Sequence, residues 1–528
     1  MSSSTPATLH VARAIHTLDE RHGTATGVLV RDGRVVTTGD AAQLRPDAGA
    51  VIDHGEAVLT PGLVDGHTHP VHGLEGTFGV ELTGIRTVAE VRAALAEAAA
   101  RLAPGQWLCA RGLNPVVFGG SVPTAAALGL GERPAFIDMY DAHSALASPG
   151  ALRRAGIDGP RTFTSASRID CDSSGRPTGY LLETEAAELV RAFVPKPEPR
   201  ELAARFAQLV RDMAASGLTG LHAMDFDHPS EDLVRAVEAE GDLPVRIGFN
   251  PWVMPGDDVA TALAVQGRRG RRWQVEGVKL FVDGTIDGGT GWLEYADTHG
   301  EGLDPLWRDL GDFREALTRL HLAGVNCAVH AIGDRGVRET LGTFADLRAT
   351  YGPLARHRIE HIETLPPEHV DLFASGAAAA SMQPLHCTFF NEPDRSDNWS
   401  RRLGDHRVDD GFPWAQLRDA GAVVALGTDW PIAPYDPRWT LADAQLRRHF
   451  DAGPEPLAGE PLTALQALEG YTTHAALASG EEAHRGRIAP GYDADFTVWS
   501  ADPLTVPPEE LAVLPVVGTV LDGAVVAV

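Results

Sequence analysis

Eight short apolar runs, each closing on polar residues, recur between residues 60 and 470: "LVDGHTH", "AFIDMYDAH", "LTGLHAMD", "VKLFVDG", "VNCAVHAIGD", "HRIEHIE", "AAASMQP" and "VVALGTD". Runs this short and this apolar read as strands buried on both faces. Many are separated by segments of helical period. "TVAEVRAALAEAAARL" opens with the capping-box pattern Thr87-x-x-Glu90 and carries Val88, Val91, Leu95 and Leu102 at helical spacing. "RELAARFAQLVRDMAAS" and "RGVRETLGTFADLRATYG" repeat that period. Eight strands alternating with helices predict an α/β fold, a (β/α)8 TIM barrel rather than an open doubly wound sheet. No G-x-G-x-x-G follows the first run, which argues further against dinucleotide binding. Such barrels typically take ~250 residues, so this one needs long insertions. Residues 144–200, rich in Gly, Pro and Ser, and residues 385–420 are the candidates, expected over the mouth of the barrel.

Outside this region the pattern changes. "GVLVRDGRVVTTG" places two β-branched runs around Asp32-Gly33, a hairpin signal, and "GTVLDGAVVAV" does the same around Asp522-Gly523. With "ADFTVWSADP" these runs predict one small composite β-sandwich domain built from both chain termini; two unrelated edge hairpins are the alternative. The expected division is residues 1–59 and 471–528 for the sandwich and 60–470 for the barrel.

The ends of the apolar runs carry the chemistry. His67 and His69 alternate, and on a strand residues i and i+2 share a face, close enough to hold one cation. The fourth run holds Lys279, the fifth His330, the sixth His361 and the eighth Asp429. In a (β/α)8 barrel the C-terminal ends of different strands converge on one site. Four histidines and an aspartate make an N/O donor set suited to Zn and open to Fe, Mn or Co, without thiolates to close a structural cage. Each residue also has a structural explanation: His330 and His361 as core histidines, Asp429 as a turn cap, Lys279 as a partner of Asp283. Burial beside cations favours the neutral amine of Lys279, which is able to form a carbamate with carbon dioxide.

The formal charge of −27, from 45 basic and 72 acidic residues, argues against nucleic acid and anionic membranes as partners. Cys109, Cys171, Cys327 and Cys387 form no C-x-x-C pair, which fits free thiols in a reducing compartment. With no secretory pattern at the start and no apolar run of about 20 residues, a cytoplasmic location is expected.

In this order, "PGLVDGHTHP", "VKLFVDG", "AVHAIGDRGV", "RIEHIE", "GTDWPIAPYDP" and "GRIAPGYDADFTVW" resemble the amidohydrolase superfamily, and more closely its third family, which includes N-substituted formamide deformylases. The resemblance runs from about residue 20 to 528. It implies a metal-dependent barrel with a composite sandwich. His67 and His69 would bind the more buried of two metal ions, most simply zinc, and His330 and His361 the second. Asp429 would be a ligand and carbamylated Lys279 a bridge. One departure is "TIDGGTGWLEY" after the fourth run, glycine-rich where the family often carries a polar cluster.

The expected activity is hydrolysis of a carbonyl–nitrogen bond, amide or formamide rather than peptide, in a small-molecule substrate. A metal-activated hydroxide would attack, and Asp429 would act as general base. A mononuclear deaminase on the same barrel is the alternative. Such enzymes usually carry a glutamate three residues after the fifth-strand histidine, where this chain has Gly333, with Asp334 following. The candidate substrate contacts are His143, placed near the pocket by the resemblance, Trp292 and Trp430 as apolar walls, and Gln383 and His386 after the seventh run. Glu183, closing "GRPTGYLLE", is either part of a lid or a solvated loop residue. A homo-oligomer is left open.

Overall fold

The computed structural model describes residues 6–21, 23–227 and 229–528. All eight expected runs form strands, and the fold is mixed α/β. Two wholly parallel sheets carry most of them. In one the order is Trp273–Val275, Arg246–Phe249, Leu218–Ala223, Leu63–Thr68. In the other it is Trp252–Val253, Gly277–Phe281, Asn326–Ala331, Arg358–His361, Ala379–Met382, Val424–Leu426. Leu221, Phe249, Val278, Val329, Ile359, Met382 and Leu426, drawn from both sheets, belong to one hydrophobic core.

The sheets meet where their outer strands approach. Thr68 bridges Trp430 in parallel register, and the Asp429 amide donates to the His67 carbonyl at 2.7 Å. Asp65 ties the seam from within, its carboxylate accepting from the Thr428 amide at 3.0 Å and hydroxyl at 2.6 Å. Burial lifts the Asp65 carboxyl to about 6, against the pull of these Thr428 hydrogen bonds.

One expected strand belongs elsewhere. Ala135–Met139 lies in a six-stranded sheet ordered Arg168–Cys171, Pro177–Leu182, Ala145–Ala147, Ala135–Met139, Leu108–Leu113, Val80–Glu81. In its absence Leu63–Thr68 pairs directly with Leu218–Ala223, whose other neighbour is the unexpected strand Arg246–Phe249. That strand opens on Arg246 and is interrupted by Gly248, where a Cβ would lie 1.8 Å from a Glu276 carboxylate oxygen. The glycine that makes room for Glu276 also breaks the apolar run.

An eight-stranded sheet joins residues 8–61 to 496–527 in the order Ala524–Ala527, Val516–Leu521, Phe496–Trp499, Val58–Pro61, Thr8–His16, Thr24–Arg31, Arg34–Gly39, with Ala50–Asp53 also paired to Thr8–His16. Both expected hairpin turns are present, with φ of 52° and 75° at Asp32-Gly33 and 51° and 74° at Asp522-Gly523, as tight hairpins require.

The expected helices form at Val88–Ala100, Pro199–Ala215 and Asp334–Tyr351. Thr87 caps the first, accepting from the Glu90 amide at 3.2 Å, while the Glu90 carboxylate meets the Thr87 hydroxyl rather than closing the box on its backbone. Among the described residues no helix is long and apolar enough to cross a membrane.

Candidate metal centre

His67 lies in the Leu63–Thr68 strand with His69 just beyond it, their ring centroids 5.4 Å apart. The Nδ1 of His67 lies 2.6 Å from Glu360 Oε2, which leaves Nε2 facing inward. That nitrogen is 3.4 Å from Asp429 Oδ1 and 3.4 Å from Lys279 Nζ. His69 Nε2 is 3.2 Å from the same Asp429 oxygen. His361, at the end of Arg358–His361, has its ring 4.9 Å from His67 and 4.4 Å from His330. His330 Nε2 donates to the Gly284 carbonyl at 2.9 Å, so Nδ1 is its remaining donor atom. One donor atom each from His67, His361 and Asp429 lie within 4.8 Å of one another. The backbone is left-handed at His361 (φ 75°) and Asp429 (φ 57°), where the strands break off. Such strain persists only where the surroundings impose it.

The charges fit a cation. Burial, with Lys279 and neighbouring rings adding to it, holds His67, His330 and His361 well below the ordinary histidine range, so all three are neutral donors. Burial brings Lys279 down to about 8, although Glu360 and Asp429 pull the other way. At Asp429 burial works upward, but His69 and His386 outweigh it and keep the carboxyl below its usual value. His361 Nδ1, His386 Nε2 and Asp429 Oδ1 are buried without a hydrogen bond. Unpaired buried groups are costly, and a divalent ion among them would satisfy all three.

Of the candidate substrate contacts, two lie beside the centre. His386 stacks on His361 at 5.6 Å, its Nε2 3.4 Å from Asp429 Oδ2. His143 places its ring 4.7 Å from His330. Burial opposes protonation of His143, but Glu183, at 3.0 Å, and Asp141 raise it to about 9. The two tryptophans are corrected. Trp292 is core, 2% exposed, pulled in when its amide donates to Asp283 at 2.8 Å. Trp430 packs its ring over Gly73 and gives its carbonyl to the His69 amide at 2.8 Å. Neither lines the cavities at the centre. Gln383 is buried behind the start of the Pro384–Phe390 helix with both amide atoms unpaired, and it too lines neither cavity.

Those cavities flank the donors. One, of about 130 Å³, has Trp252 and Phe281 as its aromatic walls beside His69, Lys279 and Asp429. The other, of about 40 Å³, adds Glu363, His386 and Phe390. Both share Tyr140 in their lining with a larger cavity of about 530 Å³. Sequence reasoning missed Trp252, whose signal was an aromatic just after the overlooked Arg246–Phe249 strand. It also missed Glu360, although "RIEHIE" carries it one residue before a candidate ligand.

The amidohydrolase family matches residues 50–527 of the chain. The Bacillus subtilis (strain 168) protein YtcJ, named as an amidohydrolase, is 29% identical, covering 97% of this chain and 98% of its own. The N-substituted formamide deformylase of Arthrobacter pascens is 26% identical over 96% of both. A solved structure of an uncharacterized metal-dependent hydrolase from Pyrococcus horikoshii superimposes with a TM-score of 0.71 at 20% identity, covering 95% of this chain and 99% of the other. By motif order, family match and length-wide similarity, the chain belongs to the amidohydrolase family.

Proposed function

We propose that this chain hydrolyses a carbonyl–nitrogen bond, of amide or formamide type, in a small molecule, using divalent metal held by His67, His69, His330, His361 and Asp429. The observation that carries the reading is a buried set of neutral imidazoles gathered on one carboxylate, among them His361 with its Nδ1 buried and without a hydrogen bond. Lys279, as a carbamate, would join these residues in holding two zinc ions. In support, full burial lowers Lys279 to about 8, so a neutral amine is accessible near neutral pH. A bound divalent ion supplies Lewis acidity and an activated water. The rest is done by the chain: Asp429 takes a proton at its carboxylate and returns it to the leaving nitrogen, His143 meets the substrate, and Trp252 and Phe281 keep bulk water out.

The two parallel sheets, apart from the short strands Trp252–Val253 and Trp273–Val275, are read as arcs of one eight-stranded barrel over residues 60–470, supported by the Thr68–Trp430 bridge and the shared core. The terminal sheet is read as the composite domain of residues 1–59 and 471–528. Four free cysteines support a reducing, cytoplasmic location.

A mononuclear deaminase is the second reading, favoured by one fact: among the described residues only His67, His361 and Asp429 form a compact three-donor group. Against it, Gly333 offers no carboxylate, and that of Asp334 accepts from the Glu294 and Arg335 amides. Elemental mass spectrometry on protein purified without chelator separates the two. About two equivalents of metal per chain support the binuclear hydrolase, about one the deaminase. None, with none regained in zinc, overturns both.

A further inference from the structure

Glu183 is a charged residue only 1% exposed, at the end of the inserted strand Pro177–Leu182. Its backbone has φ 66° and ψ 159°, a region adopted almost only by glycine. What the chain obtains there is a carboxylate with two partners on different elements. Oε2 meets His143 Nδ1 at 3.0 Å, and Oε1 accepts from the Thr290 hydroxyl at 2.5 Å. The same oxygen lies where a side chain at Gly284 would begin, 2.0 Å from an ideal Cβ, and the Gly284 carbonyl accepts from His330. His143 is held a second time, its amide donating to Asp141 at 3.1 Å, while Asp141 accepts from Thr285 at 2.9 Å. Glu183 and His143 come from the inserted sheet; Gly284, Thr285 and Thr290 follow the Gly277–Phe281 strand that carries Lys279.

We infer that Glu183 is a positioning residue: its strained backbone presses a buried carboxylate between the inserted sheet and the metal-bearing strands, fixing the His143 ring with Nε2 left for the substrate. The inserted sheet is then part of the active centre rather than a cover over it. The catalytic consequence rests on the hydrolase reading, but the strain and the ring placement do not.

The test compares Glu183→Gly, Glu183→Ala and Glu183→Gln with the parent in the full-length, metal-loaded protein. Glycine relaxes at this backbone, so Glu183→Gly is expected to melt above Glu183→Ala, the reverse of the usual order. Crystal structures of the Gly variant should show the His143 ring displaced, with metal content unchanged. On p-nitroformanilide, kcat should fall about 100-fold in the Gly and Ala variants with KM changed less than threefold, and Glu183→Gln should recover part of the loss. The inference is overturned if Ala melts above Gly, or if His143 keeps its place and kcat its parent value in the Gly variant. A parent inactive on this probe counts against the hydrolase reading alone; the melting order and the ring position still decide the role of Glu183.

Discussion

At the residue scale, the ring of His67 is fixed from behind. Glu360 receives its Nδ1, and Arg358 in turn holds Glu360 at 2.8 Å while resting an Nη1 3.0 Å from His222 Nδ1. Partners of this kind typically change metal affinity 10–100-fold. Glu360→Gln is therefore expected to weaken metal binding by about that factor, read by competition with a chromogenic chelator; unchanged affinity would show that packing alone orients His67. Asp225 makes a different prediction. Buried, with Asp227 adding repulsion, its carboxyl is raised to about 8, although the Val71 and His72 amides donate to it. The native state then binds a proton that the unfolded chain releases above its ordinary value of 3.8. This group's stability contribution is full below that pH and is lost as pH rises toward 8. Asp225→Asn should flatten that part of the profile and gain on the parent between pH 5 and 8 in urea titrations; parallel profiles would refute it. His67, His69 and Asp429 were readable because they close apolar runs in quoted motifs. Trp292 and Trp430 were misread because sequence shows that an aromatic follows a strand, not which way the chain then turns.

At the element scale, the seam between Leu63–Thr68 and Val424–Leu426 depends on two residues with no side chain. A Cβ on Gly66 would lie 2.6 Å from the Leu426 carbonyl oxygen, and one on Gly427 would lie 2.4 Å from the His67 amide. Both obstacles are backbone, which gives way only by moving a strand. Gly66→Ala should therefore cost about 1–3 kcal/mol by denaturant titration and lower metal occupancy with it, since His67 and Asp429 sit on opposite sides of the gap. Full occupancy and parent stability would mean that the strands can part without disturbing the site. Apolar runs reported which segments are strands. They did not report partners, so Ala135–Met139 looked like its neighbours in sequence while pairing in another sheet. Arg246–Phe249 went unread because its arginine and glycine serve contacts beyond the strand itself.

At the scale of the whole molecule, Arg246 fastens the terminal sheet to the parallel one. It opens the Arg246–Phe249 strand and grips Asp495 through two bonds, at 2.7 and 3.0 Å, while also reaching Asp522 at the last hairpin turn. Arg272 adds bonds of 3.1 and 2.9 Å to Asp522. Breaking a largely buried pair from one side leaves a carboxylate uncompensated, so Arg246→Ala is expected to cost about 3–5 kcal/mol in urea unfolding. Arg246→Met combined with Asp495→Asn should return part of that loss; no return would place the cost in packing instead. The two hairpins of this sheet were legible from Asp-Gly turns, and Phe496–Trp499 from "ADFTVWSADP", but the joining strand Val58–Pro61 was not, because nothing local links it to Phe496–Trp499. That separation has a consequence in time. The Trp499 indole donates to Thr60 at 3.0 Å across 439 residues. At 5–20 residues per second, the ribosome delivers the second partner roughly 20–90 s after the first. For that interval the edge of Val58–Pro61 that faces away from Thr8–His16 has no mate, and an unpaired edge is a template for pairing with another chain.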